Sequence, residues 1–238
     1  MLPTDPFAIK ALPKMHPRRL LWTLYGRACD RVGRLSRQPI GGLLNLSGLA
    51  HYYADRGVAQ EETKLTTNKT RLLLDAVAAT AHATEPIVEI GSYRGATTEQ
   101  LAAHTERLVY AVDPYIGYGG WEEDAQRLAQ RCLARPNIVP VREASGKAVG
   151  QFADGQRLSL IIVDAVNDYV NAWFNVLAWA PMVSDGALVA LNSVDDSPGP
   201  NLACRRLLRR CGWLKVWGYC PDLIVFQKIG AAMPSTKR

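Results

Sequence analysis

Carboxylates placed where strands end are the main chemical resource of this chain. The run Ile87-Val-Glu-Ile-Gly-Ser-Tyr-Arg-Gly-Ala-Thr-Thr reads as a buried strand, a glycine turn and the immediate start of a helix. Ligands of open α/β sheets collect at the carboxyl ends of strands. Gly91 would let a ligand approach the backbone there, and Gly95 would permit the tight turn into the helix. The spacing is Gly-x-x-x-Gly rather than the Gly-x-Gly-x-x-Gly that seats a pyrophosphate on a helix N-terminus. The ligand therefore need not carry phosphate, which counts against a nicotinamide-dependent reductase. The next strand ends in Asp113, 22 positions beyond Gly91. An acidic residue about 20 positions on is the spacing of a ribose ligand. The alternative is that Asp113 with Pro114 merely caps a turn, but the strand register favours the ribose role.

These residues need strands to carry them. Short β-branched runs recur at 87–90, 108–112, 138–141, 160–163, 188–191, 214–217 and 223–227. Helical stretches lie between the earlier runs, near 97–103, 122–134, 146–152, 169–180 and 201–210. Such alternation predicts an α/β, Rossmann-like, seven-stranded and mostly parallel sheet with helices on both faces. The last two runs follow one another without a helix, so they form an antiparallel edge hairpin. A helix over 67–81 precedes this region, with Leu72, Leu73, Val77 and Ala78 facing inward. The chain divides into a basic helical extension, residues 1–66, and a domain over 67–238.

Charge separates in the same way. The chain has 28 Lys and Arg against 22 Asp and Glu, a net charge of +6. Residues 1–40 hold eight of the basic residues and only Asp5 and Asp30 of the acidic ones, leaving a neutral body. A basic groove for nucleic acid is therefore not expected on that body. From Pro17 to Leu35, the residues Leu21, Leu24, Tyr25, Ala28, Val32 and Leu35 share one helical face, opposite Arg19, Arg27, Arg31 and Arg34. The expectation is that this apolar face packs on the domain or on another subunit, giving a homo-oligomer. Peripheral contact with an anionic membrane is the alternative. No export signal, apolar span or zinc-type cysteine spacing is present, so the expected setting is cytoplasmic with the five cysteines reduced.

Val88-Glu-Ile-Gly-Ser-Tyr-Arg-Gly followed by Val109-Tyr-Ala-Val-Asp-Pro resembles the first two motifs of class I S-adenosylmethionine-dependent methyltransferases. Asn137-Ile-Val-Pro-Val-Arg-Glu-Ala-Ser resembles the segment bordering the adenine, and Ile162-Val-Asp-Ala-Val-Asn-Asp-Tyr the end of the fourth strand. The resemblance spans about 67–228 and is greatest to small-molecule O-methyltransferases of natural-product and sugar-modifying type. It implies S-adenosylmethionine as cofactor and methyl transfer to a hydroxyl of a small-molecule acceptor. Glu89, Gly91, Ser92 and Gly95 would line the methionine and ribose part. Asp113 would hold the ribose, Pro114 and Tyr115 would lie beside the adenine, and Ala144 and Ser145 at its edge. Asp164 would face the transferred methyl and serve as base, with Asp195 or Asp168 as alternatives.

The chain also departs from that family. The fourth strand lacks the family's histidine, and the fifth ends Leu191-Asn192 where metal-dependent relatives carry Asp-Asn. Asp164 and Asn192 would supply two ligands of a divalent cation such as Mg2+, with Asp195 and Asp196 near enough in sequence to compensate for the missing carboxylate. The same departures leave room for a non-catalytic cofactor-binding scaffold or regulatory protein. Asp168 reads as a helix N-cap, and Trp173, Phe174 and Trp179 as core. Tyr115, Tyr118 and Trp121 either overlie the cofactor or pack as surface loop, and Arg205, Arg206, Arg209 and Arg210 read as a solvated helix face.

Overall fold

A computed structural model describes residues 4–117, 120–152 and 156–230. In chain order the elements are α1 (Pro6–Ala11), α2 (Pro17–Leu35), β1 (His51–Tyr52), α3 (Thr67–Ala79), β2 (Ile87–Ile90), α4 (Ala96–Ala103), β3 (Val109–Val112), α5 (Glu122–Ala134) and β4 (Ile138–Val141). They continue with α6 (Ser145–Val149), β5 (Leu158–Val163), α7 (Tyr169–Trp179), β6 (Val183–Asn192), α8 (Pro198–Arg210), β7 (Leu214–Cys220) and β8 (Leu223–Lys228).

The strands form one sheet in the order β1-β7-β8-β6-β5-β2-β3-β4. Only β8 runs antiparallel to its neighbours, β6 and β7. The sheet has eight strands rather than the expected seven. The additional one, β1, pairs His51 with Gly218 and Tyr52 with Tyr219 and lies within 1–66. Two residues are too few to show an alternating pattern. The sign of β1 is on its partner instead, because a Cβ at Gly218 would stand 3.0 Å from the His51 carbonyl oxygen.

β5 is buried along its whole length and is apolar except for Ser159, as a strand in the middle of a parallel sheet should be. Ile161 and Val163 face the layer containing α7 and α8, and Leu160 and Ile162 face the layer containing α3. Parallel register brings the strand ends level. Ile90 pairs with Val112 on one side and Val163 on the other, and Val163 pairs with Leu191. The next residues along these strands, Gly91, Asp113 and Asp164, together with Asn192, therefore stand in a row along one edge.

The helices depart from expectation in three places. In α3, Leu72, Leu73 and Val77 are buried as expected, but Ala78 is exposed and Ala76 takes its place. In α8, only Arg209 and Arg210 are solvated; Arg205 is buried and donates to Ser36 Oγ at 2.7 Å, and Arg206 lies over the Tyr169 ring. The largest correction concerns α2. It packs on α7 and α8 through Gly26, Cys29 and Gly33, while Leu21, Leu24, Tyr25, Val32 and Leu35 point to solvent. Small residues win because a Cβ at Gly33 would fall 2.3 Å from the Pro198 carbonyl oxygen, and larger side chains would hold the helices apart. Trp179 and Phe174 are core, and Trp173 packs against it. Among the described residues, no helix is long and apolar enough to cross a membrane.

Candidate active site

Two adjoining cavities, of about 260 and about 290 Å3, open along the row of strand ends and share Gly91, Tyr93, Asp164, Ala165 and Asn167 in their walls. Glu89, Ser92 and Thr97 line the first, and Asp113, Pro114, Ser145 and Phe7 the second.

Gly91 has φ +93°, and a Cβ there would meet the Asp164 carbonyl oxygen at 2.1 Å. Glycine is thus required first by the closeness of the β5 exit, before any ligand is considered. Gly95 starts α4 at φ +76°, with a would-be Cβ 2.4 Å from Leu128 Cδ1. It joins the turn to the packing of α4 on α5.

Asp113 is 2% exposed and accepts from the backbone N–H groups of Tyr93 at 3.1 Å and Tyr115 at 3.0 Å. Both tyrosines have left-handed backbones, at φ +48° and +50°, a conformation that costs non-glycine residues about 1–3 kcal/mol each. The Tyr115 hydroxyl closes the arrangement by donating to the Tyr93 carbonyl at 2.6 Å. Burial pushes the Asp113 carboxyl above its ordinary range, opposed by those two backbone donors. Its carboxylate orientation is set before a ligand arrives.

Tyr115 is buried beneath this loop rather than lying over the cavities, and Trp121 is exposed at the start of α5. Tyr118 lies outside the described residues. Ser145 reaches the second cavity and accepts from the Trp179 indole at 2.8 Å, whereas Ala144 stays outside the lining as the cap of α6.

Glu89 is 2% exposed and accepts a hydrogen bond from the Thr98 hydroxyl. Burial lifts its pKa to about 8, with the charges of Asp164 and Asp113 adding to the rise. Asp164 accepts from Asn192 Nδ2 at 2.8 Å. Burial raises the Asp164 pKa, while the Asn192 bond and the Lys69 charge pull it down. A carboxylate held this way is a stronger base than a free one.

The metal expected on Asp164 and Asn192 does not fit these donors. The Asn192 carbonyl oxygen accepts from the ammonium of Lys69 at 3.0 Å, and Lys69 also pairs with Asp222 at 2.5 Å; both partners are buried. A dication next to that ammonium would be repelled, and the third position is Leu191, buried in the sheet. Asp195 cannot compensate, because Oδ1 accepts from Ile40 N at 2.7 Å and Oδ2 from the Tyr219 hydroxyl and Asp222 N, each at 2.8 Å. Asp196 is paired with Arg56. Among the described residues, no group of three or more His, Cys, Asp or Glu side chains could hold a metal.

The same bonds take Asp195 out of the expected catalytic pair. It lines neither cavity and ties the β6–α8 connection to β7 and the 40s segment. Asp168 caps α7, accepting from Asn171 N at 2.8 Å.

Sequence reasoning did not pick out Lys69, Asp222, Tyr93 or Phe7. The signal for Lys69 was a lysine on the apolar stripe of α3, in line with Leu72, Leu73, Ala76 and Val77. Phe7, from the short helix α1, carried no local signal.

Residues 88–194 match a family model described as a methyltransferase domain. No curated protein matches the chain. Among solved structures, the O-methyltransferase NovP superposes with a TM-score of 0.59 at 16% identity, covering 72% of this chain and 84% of NovP. CalS11, a TDP-rhamnose 3'-O-methyltransferase of calicheamicin biosynthesis, gives 0.52 at 20% identity, over 66% of this chain and 77% of CalS11. An rRNA methylase from Streptococcus thermophilus gives 0.54 at 14% identity, over 68% and 97%. At these identities the superpositions establish a shared fold.

Proposed function

We propose that this chain, whose residues 88–194 match a methyltransferase-domain model and whose fold is shared with NovP and CalS11, is a class I S-adenosylmethionine-dependent methyltransferase that transfers a methyl group to a hydroxyl of a small-molecule acceptor. The observation that carries this reading is Asp164, a half-buried carboxylate in the walls of both cavities and level with Gly91 and Asp113.

S-adenosylmethionine, when bound, supplies an electrophilic methyl group on a sulfonium. In this reading the second cavity takes the nucleoside, with Asp113 accepting from the ribose hydroxyls and Pro114 and Ser145 against the base. Glu89, in the first cavity, meets the cationic amino-acid end. Asp164 would take the proton of the acceptor hydroxyl, and the remaining walls would hold that oxygen in line behind the S–CH3 bond, which breaks to leave a neutral thioether as the O–CH3 bond forms. Asn192 and Lys69 keep Asp164 oriented and ionisable.

The arginines around this end of the sheet support a small acceptor over a polynucleotide. Arg94 pairs with Asp124, Arg131 with Glu62 and Glu99, and Arg142 with Glu122, so their charges are already met within the protein. Nucleic-acid recognition draws its affinity from unpaired cations facing phosphates. The test is transfer of isotope-labelled methyl from S-adenosylmethionine to a panel of phenols, sugars, nucleotide-sugars and ribosomal RNA. Transfer to a small hydroxyl compound is expected. Transfer to RNA alone would overturn the acceptor class. Intact cofactor binding with no transfer to any acceptor would point instead to the non-catalytic scaffold.

A further inference from the structure

Helix α2 presents an apolar stripe to solvent along its length. Leu35 is 81% exposed, Leu21 68% and Leu24 61%, with Tyr25 and Val32 close to half exposed. Five large apolar side chains on one exposed helix face are more than scattered surface residues, and contiguous patches of this kind mark an interaction surface. Arg27, Arg31 and Arg34 follow one another at one-turn spacing along one border of the stripe. None of the three forms a salt bridge among the described residues.

The charges around the stripe decide what it meets. Residues 1–40 contain two carboxylates, and both are turned inward: Asp5 caps α1 through Phe7 N at 2.8 Å, and Asp30 accepts from Tyr169 N at 2.9 Å. The exposed face of α2 therefore offers arginine and no acid. A second copy docking stripe to stripe would add its own arginines to the borders of the seam and no acid to meet them. An anionic bilayer supplies both a surface for the leucines and phosphates for the arginines.

We infer that α2 docks this protein on an anionic lipid surface, with Leu21, Leu24, Val32 and Leu35 entering the interface and Arg27, Arg31 and Arg34 engaging headgroups. The small-residue face of Gly26, Cys29 and Gly33 stays on α7 and α8, so docking requires no unpacking of the helix.

The test is co-sedimentation of the full-length chain with vesicles of phosphatidylcholine alone and of phosphatidylcholine mixed with phosphatidylglycerol. Binding to the mixed vesicles only, weakened by added salt, is the expected result. Arg27→Gln/Arg31→Gln/Arg34→Gln should lower partitioning by about fivefold per arginine, roughly a hundredfold in all. Leu21→Glu/Leu24→Glu should abolish it. These positions are exposed and outside the cavities, so S-adenosylmethionine affinity by calorimetry should be unchanged and reports that the variants are folded. Absence of wild-type sedimentation with the mixed vesicles overturns the inference. So does a wild-type dimer in light scattering that the Leu21→Glu/Leu24→Glu variant converts to monomer, which would make a second copy the occupant.

Discussion

Asn192 donates its side-chain amide to Asp164 at 2.8 Å while its carbonyl oxygen accepts from Lys69 at 3.0 Å. One asparagine thus links a carboxylate in the cavity wall to a buried cation whose charge lowers the pKa of that carboxylate. Replacing Lys69 with Met removes this influence, so Asp164 would hold its proton to higher pH. The acidic limb of the kcat–pH profile should move upward, with a larger loss of rate at pH 7 than at pH 9. The variant also leaves Asp222 buried without its cation, at a cost of about 3–5 kcal/mol, to be read by denaturant unfolding. Lys69→Met/Asp222→Asn should recover much of that stability. Because the donors do not suit a dication, turnover of the wild type should be indifferent to EDTA.

Asp164→Asn should cut kcat by about a hundredfold or more, the lower range for loss of a general base. Asparagine keeps the shape of the side chain, so cofactor affinity should change little. Near-normal kcat in a folded variant would remove Asp164 as the base and leave acceptor positioning as the whole of catalysis.

Glu89 gives a pH signature of its own. Its folded pKa, about 8, lies above the ordinary 4.5. Between those values the folded chain holds a proton that the unfolded chain has released, so this group's contribution to stability declines as pH rises from about 4.5 to about 8. In the absence of ligand, Glu89→Gln should therefore lose less melting temperature between pH 5 and pH 9 than the wild type does. A cationic ligand group favours the carboxylate, so S-adenosylmethionine binding near pH 7 should release a proton from the wild type. Calorimetry in buffers of different ionisation enthalpy measures that release, which Glu89→Gln should lack.

The row of strand ends was legible in the sequence because each apolar run stops at a polar or glycine residue. Parallel pairing then aligns the stops, as at Gly91, Asp113 and Asp164. What escaped depends on partners distant along the chain. Lys69 meets Asn192 and Asp222 across more than a hundred residues, and Asp195 meets Ile40 from 155 residues away. The face of α2 was misjudged for a different reason. Apolar periodicity identifies the greasiest stripe, but close helix packing selected the smallest one, at Gly26, Cys29 and Gly33.

Gly95 makes a structural prediction distinct from catalysis. Gly95→Ala puts a methyl group 2.4 Å from Leu128 Cδ1 on a left-handed backbone, and should cost about 1–3 kcal/mol for the backbone alone. Adding Leu128→Ala relieves the clash but not the φ. The double variant should still melt below Leu128→Ala alone.

Asp113 is held by its two backbone partners in the wall of the second cavity, and the proposed cofactor site rests on it more than on any other residue. Titration calorimetry with S-adenosylmethionine on the wild type and on Asp113→Ala tests it most directly. The wild type should bind, and the variant should lose about 1.5–3 kcal/mol, the range for hydrogen bonds to a charged group, or roughly ten- to a hundredfold in Kd. A folded variant that binds as tightly as the wild type, or a wild type that does not bind, would contradict the assignment of this cavity.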